Sequence, residues 1–121
     1  MSWLLVACGG AIGASLRYGI GLLFGSQQGF PWATWTINIF GCFCAGVFFA
    51  LSQKYPVLQQ QTRLFFMVGI LGGFTTFSSF GLETFQLLKQ QQLGLAFCYM
   101  ASSVVCGVIM LALGYLLLQK I

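Results

Sequence analysis

Acidic side chains are nearly missing from this chain. Glu83 is its one acid, histidine and aspartate do not occur, and charged residues make up 5% of the 121 positions. Without histidine, aspartate or a second carboxylate, the usual sets for acid–base catalysis and nucleophile activation cannot be assembled. That excludes an enzyme. The five basic residues (Arg17, Lys54, Arg63, Lys89 and Lys120) give a net charge of +4 but form no cluster. Nucleic-acid binding therefore has no electrostatic footprint. A soluble surface carries roughly a quarter or more charged residues, so a soluble domain is excluded as well.

What is present is apolar. Hydrophobic residues make up 59% of the chain, and about 20 such residues in a row cross a bilayer as a helix. Four stretches of that kind fit here, which predicts a single all-α transmembrane domain over residues 1–121. The spans are expected at about 3–24, 32–53, 62–89 and 93–119. The apolar N-terminus lacks the basic start and cleavage site of a signal peptide. Cys8, Cys42, Cys44, Cys98 and Cys106 lie inside the apolar stretches and read as small helix-packing residues. Cys42 and Cys44 point to different sides of a helix and make a poor metal pair.

In the first span, Gly9 and Gly13 are one turn apart, a spacing that lets another backbone come close. Arg17 has two readings: an intramembrane charge with a role, or a side chain snorkelling to the interface. Gly25 to Pro31 reads as a short polar loop. The second span opens with Trp32 and Trp35, which suit the interface. Asn38 follows about two turns in. A buried amide must find partners, either on a neighbouring helix or, through its NH2 group, on an anion. Lys54-Tyr55-Pro56 ends the span.

The third span, 62–89, would measure roughly 40 Å as one straight helix, more than a bilayer core requires. Its middle reads Gly69-Ile70-Leu71-Gly72-Gly73-Phe74-Thr75-Thr76-Phe77-Ser78-Ser79-Phe80. Glycine costs about 1 kcal/mol per helix-interior position relative to alanine, so a break is expected near 72–76. Broken helices at membrane depth occur where they line a cavity or an ion site. Carbonyls such as those of Gly72 and Thr75 would lose their helical partners there and suit a hard cation. A segment restarting at Thr75 or Thr76 would offer N–H groups to an anion. Phe77 and Phe80 share a face, and phenyl edges are weakly positive. Ser78, Ser79 and Thr84 add hydroxyls. Glu83 either faces a vestibule or pairs with Arg17 or Lys89.

Three runs together resemble the Fluc/CrcB family of fluoride channels. They are Gly9-Gly10-Ala11-Ile12-Gly13-Ala14-Ser15-Leu16-Arg17-Tyr18, Thr36-Ile37-Asn38-Ile39-Phe40-Gly41-Cys42, and Gly72 to Phe80 followed by Glu83. The resemblance runs the length of the chain in order. It implies passive fluoride export through two pores of an antiparallel, dual-topology homodimer in the bacterial inner membrane. It also implies a structural, untransported Na+ held by the carbonyls at Gly72 and Thr75. The family's fluoride path maps onto Asn38, Phe77, Phe80, Ser78 and Ser79, with Glu83 near a pore mouth, and Arg17 matches its first-helix arginine. Where some members carry a pore serine on the fourth helix, this chain has Gly107, and Ser103 one turn earlier is the substitute. Thr84 is the remaining hydroxyl candidate.

Basic residues near span ends divide three to two between the sides (Lys54, Arg63 and Lys120 against Lys89 and Arg17), a weak bias under the positive-inside rule. Insertion in both orientations, and an antiparallel pair, are therefore permitted. The competing reading is a small four-helix proton-coupled multidrug exporter. Such a carrier needs its acid in the binding chamber, and here the first span has none.

Overall fold

Apolar residues uninterrupted by proline sustain the first helix, α1 (Ser2–Phe24). It stops at Gly25, whose φ of 67° favours glycine and whose N–H closes on Leu22 O at 3.3 Å. The computed structural model describes residues 1–25 and 29–120. Residues 26–28 of the expected polar loop lie outside the described residues. Helix α2 (Trp32–Lys54) begins directly behind Pro31, and the chain leaves it before Pro56, which starts a 3-10 turn at Pro56–Gln59.

The third span is two helices. The first, α3 (residues 61–74), joins an α-helical turn at Gln61–Arg63, a π-helical stretch at Leu64–Leu71 and a further α-helical turn at Gly72–Phe74. The second is α4 (Ser78–Lys89). A tight turn through Gln91, at φ 61°, leads to α5 (Leu93–Gln119). Four spans are long and apolar enough to cross a membrane: Ser2–Phe24, Trp32–Lys54, Gln61–Lys89 and Leu93–Gln119.

Two helix pairs make the body: α1 packs on α3, and α2 packs on α5. Both pairs are drawn together by glycine. A Cβ at Gly9 would stand 2.5 Å from Phe65 O, and one at Gly73 would stand 2.5 Å from Gly10 O. Only residues without side chains let the backbones meet so closely. The widened π-helical winding of Leu64–Leu71 coincides with this seam. In the other pair, Gly46 faces Leu111 O and Gly114 faces Phe43 O. Lys54 Nζ donates to Leu118 O at 2.7 Å, and Tyr115 OH donates to Gln53 Oε1 at 2.8 Å, tying the ends of α2 and α5.

The buried cluster is displaced toward one end, where Leu87, Ala96 and Tyr99 pack with Phe30, Trp35 and Phe80. Elsewhere large apolar side chains such as Trp3, Leu23, Phe97 and Val108 point outward. An apolar exterior of this extent belongs against lipid or another protein.

Candidate functional site

The interruption of the third span is built by hydrogen bonds that leave the helical ladder. Gly72 and Gly73 are themselves helical. Gly73 survives there because it fits against Gly10 of α1. The chain departs at Thr75, which is extended (φ −82°, ψ 159°). Its N–H and its Oγ1 both donate to Leu71 O, at 3.0 and 2.9 Å, and close α3. The next amide is captured from outside: Thr76 N–H donates to Asn38 Oδ1 at 2.9 Å, and Asn38 Nδ2 donates back to Thr76 O at 3.0 Å. Arg17 Nε donates to Gly73 O at 3.1 Å. Ser79 N–H donates to Thr76 Oγ1 at 3.1 Å, which caps the start of α4.

Two pockets touch the break and a third lies further along α4, and they divide the residues predicted from the sequence. A pocket of about 440 Å³ is lined by Asn38, Phe77, Phe80 and Ser103 together with Gly72 and Thr75. The Phe77 and Phe80 rings are 5.8 Å apart between centroids and tilted by 44°. Phe80 leans on Tyr99 at 5.0 Å, whereas Phe77 is 83% exposed. One Nδ2 hydrogen of Asn38 is used by Thr76 O. A carboxamide carries a second, and Asn38 stands in the pocket wall. The Ser103 hydroxyl oxygen is buried and has no protein partner. Gly107, the other helix-four candidate, is buried, and a Cβ there would stand 3.2 Å from Cys42 Sγ. Ser103 thus lines this pocket and Gly107 does not.

Arg17 and Ser79 are elsewhere, beside Thr34 and Thr76 in a second pocket of about 450 Å³. Arg17 is therefore engaged with the broken backbone and does not pair with Glu83. Glu83 lines a third, polar pocket of about 480 Å³ with Gln86, Gln90 and Gln92. Its Oε2 accepts from Thr34 Oγ1 and its Oε1 from Tyr99 OH, both at 3.0 Å. Ser78 is exposed, with its hydroxyl 3.4 Å from that of Thr76. Thr84 is buried and donates to Phe80 O at 2.7 Å, so its hydroxyl serves its own helix.

Sequence reasoning missed Thr34 and Tyr99. Thr34 precedes Asn38 by one turn and so shares its face. Tyr99 is a phenol within an otherwise apolar run, and a buried phenol normally has a hydrogen-bond partner. Trp35, expected at the interface, donates from Nε1 to Ser102 Oγ at 3.0 Å. Among the described residues, no group of three or more Cys, Asp or Glu side chains could hold a metal. Neutral oxygens, from backbone, hydroxyl or amide groups, remain as ligands for a hard cation. The orphaned carbonyls fit that demand, because the amides four residues beyond Gly72 and Thr75 are bonded to Asn38 and to the Thr76 hydroxyl.

Fold and site together define a small multi-pass membrane protein whose third span opens on an amide-, hydroxyl- and phenyl-lined pocket, an arrangement suited to an ion. The chain belongs to the CrcB family: the model described as "CrcB-like protein, Camphor Resistance (CrcB)" matches residues 4–115. It is similar to the fluoride-specific ion channel FluC of Methylobacillus flagellatus, 40% identical over 119 residues, covering 96% of this chain and 93% of that one. It is also 45% identical over 115 residues to a fluoride-specific ion channel FluC of Thermus thermophilus, covering 93% and 91% of the two chains. With the protein of the same name from Helicobacter pylori it shares 42% identity over 122 residues, covering 98% and 93%.

Proposed function

We propose that this chain is a fluoride-selective ion channel of the bacterial inner membrane, which lets fluoride leave passively and so lowers its cytoplasmic concentration and toxicity. The observation that carries the proposal is the single pocket shared by Asn38, Phe77, Phe80 and the unpartnered Ser103 hydroxyl beside the broken third span. The names of its relatives supply the ion. Fluoride is small and strongly hydrated, so a path for it must offer replacement donors. The free Nδ2 hydrogen of Asn38, the Ser103 hydroxyl and the phenyl edges are such donors, and none carries a fixed positive charge that would trap the ion. Conduction requires binding firm enough to admit an ion and weak enough to release it. The hydroxyls of Ser78 and Ser79 lie beyond the break, and Glu83 marks the polar mouth.

The working unit is an antiparallel homodimer with two pores. Support comes from the weak charge bias across the spans and from Phe77, an 83% exposed phenyl in the wall of the pocket. A second copy would cover it. A structural Na+ would be held by Gly72 O and Thr75 O of each copy. When bound it supplies a fixed positive centre that holds the two breaks together.

The exporter reading is not favoured, since the one acid, Glu83, stands apart from the Asn38 pocket and accepts from Thr34 and Tyr99. Fluoride efflux from liposomes holding the purified chain tests the proposal. Efflux well above that of empty liposomes, with chloride retained, is expected. A rate equal to that of empty liposomes removes the channel reading.

A further inference from the structure

Five consecutive carbonyls, from Gly72 to Thr76, meet the break, and the hydrogen bonds around it divide them. Gly73 O receives Arg17 Nε at 3.1 Å. Thr76 O receives Asn38 Nδ2 at 3.0 Å. In a continuous helix the Thr76 amide would close on Gly72 O, and the Ser79 amide on Thr75 O. Here they go to Asn38 Oδ1 and Thr76 Oγ1. Arg17 and Asn38, from two different helices, therefore occupy one pair of carbonyls, while Asn38 and the Thr76 hydroxyl release another.

We propose that Arg17 and Asn38 are positioning residues of the cation site: together they occupy Gly73 O and Thr76 O, and Asn38 draws off the Thr76 N–H, which, with the Thr76 hydroxyl holding the Ser79 N–H, leaves Gly72 O and Thr75 O as the oxygens presented to Na+. The inference rests on the cation reading given above. Its physical logic is preorganisation. A cation bound by carbonyl dipoles is selected by the number and placement of the oxygens that reach it. An unbraced loop would offer any of five carbonyls, in changing combinations, at a conformational cost met anew for each ion bound. Arg17 also carries a charge that repels a nearby cation, and its bond to Gly73 O pins that charge in one direction. Gly41 completes the brace by sterics, since a Cβ there would collide with the Thr75 side chain.

The test uses the full chain in detergent, with Na+ titrated against N-methylglucamine at constant ionic strength. The readout is the thermal unfolding temperature, with fluoride efflux measured alongside. Wild type is expected to gain stability with Na+ along a saturable curve. Asn38→Ala, which is neutral for neutral, should move the Na+ midpoint up by about tenfold. Arg17→Lys keeps the charge but loses the planar guanidinium that meets Gly73 O, and should move it in the same direction. It decides the matter alone if Asn38→Ala does not fold. In both variants the preference for Na+ over Li+ and K+ should weaken. An equal drop in unfolding temperature with and without Na+, at an unchanged midpoint, would mean that the two residues only hold the fold, and would overturn the inference. An unchanged midpoint with reduced efflux would leave Asn38 solely a pore residue and overturn it too. A wild type that ignores Na+ would instead remove the cation reading itself, while its fluoride efflux stands as a separate result.

Discussion

Asn38 is paired with the backbone of a single residue: its amide accepts from Thr76 N–H at 2.9 Å and donates to Thr76 O at 3.0 Å. This pairing replaces the two ladder bonds that Thr76 would make in an unbroken helix. One side chain on α2 thus fixes where the third span stops being helical, and the same side chain stands in the wall of the pocket.

Asn38→Asp should suppress fluoride efflux by at least about tenfold, a barrier change of roughly 1.4 kcal/mol. The carboxylate keeps an acceptor for Thr76 N–H but has no hydrogen for Thr76 O. It also sets a negative charge where an anion would pass. Liposome efflux measures the effect, and a wild-type rate would take Asn38 out of the path.

Phe80→Ile should slow efflux while the purified chain still elutes as wild type in size-exclusion chromatography. Phe80 sits between Phe77 and Tyr99, with centroids 5.8 and 5.0 Å away. An aliphatic side chain fills much of that volume but has no polarised ring edge to offer an anion. Unchanged efflux would make Phe80 a packing residue only.

Ser103→Ala separates stability from conduction. The hydroxyl oxygen is buried without a protein partner, and an unsatisfied buried polar atom costs about 1–3 kcal/mol. Removing it should leave the unfolding temperature equal to or above that of wild type, while efflux falls if the hydroxyl meets the ion. A variant that is both destabilised and fully conducting would contradict both parts.

How much of this was legible in the sequence varies with the kind of physics involved. The four spans were, because length and apolar content decide them. The break was legible as glycine and threonine chemistry near 72–76, but not to the residue: Gly72 and Gly73 are helical, and the chain departs at Thr75. Propensity reports what a residue costs in isolation. Gly73 is held by contact with Gly10, and Thr76 by a side chain 38 positions away. Tertiary partners of that kind leave no local periodicity. Spacing did suggest that Phe77 and Phe80 share a face, and their rings are neighbours. It gave no means of separating Ser79 and Glu83 from the Asn38 pocket, because different sides of the segment from Gly72 to Gln92 line different pockets.

The glycine seam provides the last prediction. Gly13 faces the Ile70 carbonyl, and a Cβ on it would also stand 2.8 Å from Phe74 N, whereas nothing lies within 4 Å of such an atom at Gly19. Both positions are in α1, so helix propensity favours alanine at each by about 1 kcal/mol. Gly19→Ala should therefore be neutral or mildly stabilising. Gly13→Ala must push α1 away from α3, where overpacking of a tight contact costs typically about 1–3 kcal/mol. The displacement also pulls Arg17, one turn further along α1, from Gly73 O. Efflux should accordingly fall in Gly13→Ala and hold in Gly19→Ala, with thermal unfolding measured on the same samples. Equal behaviour of the two variants would show that the close approach of α1 and α3 does not govern the break.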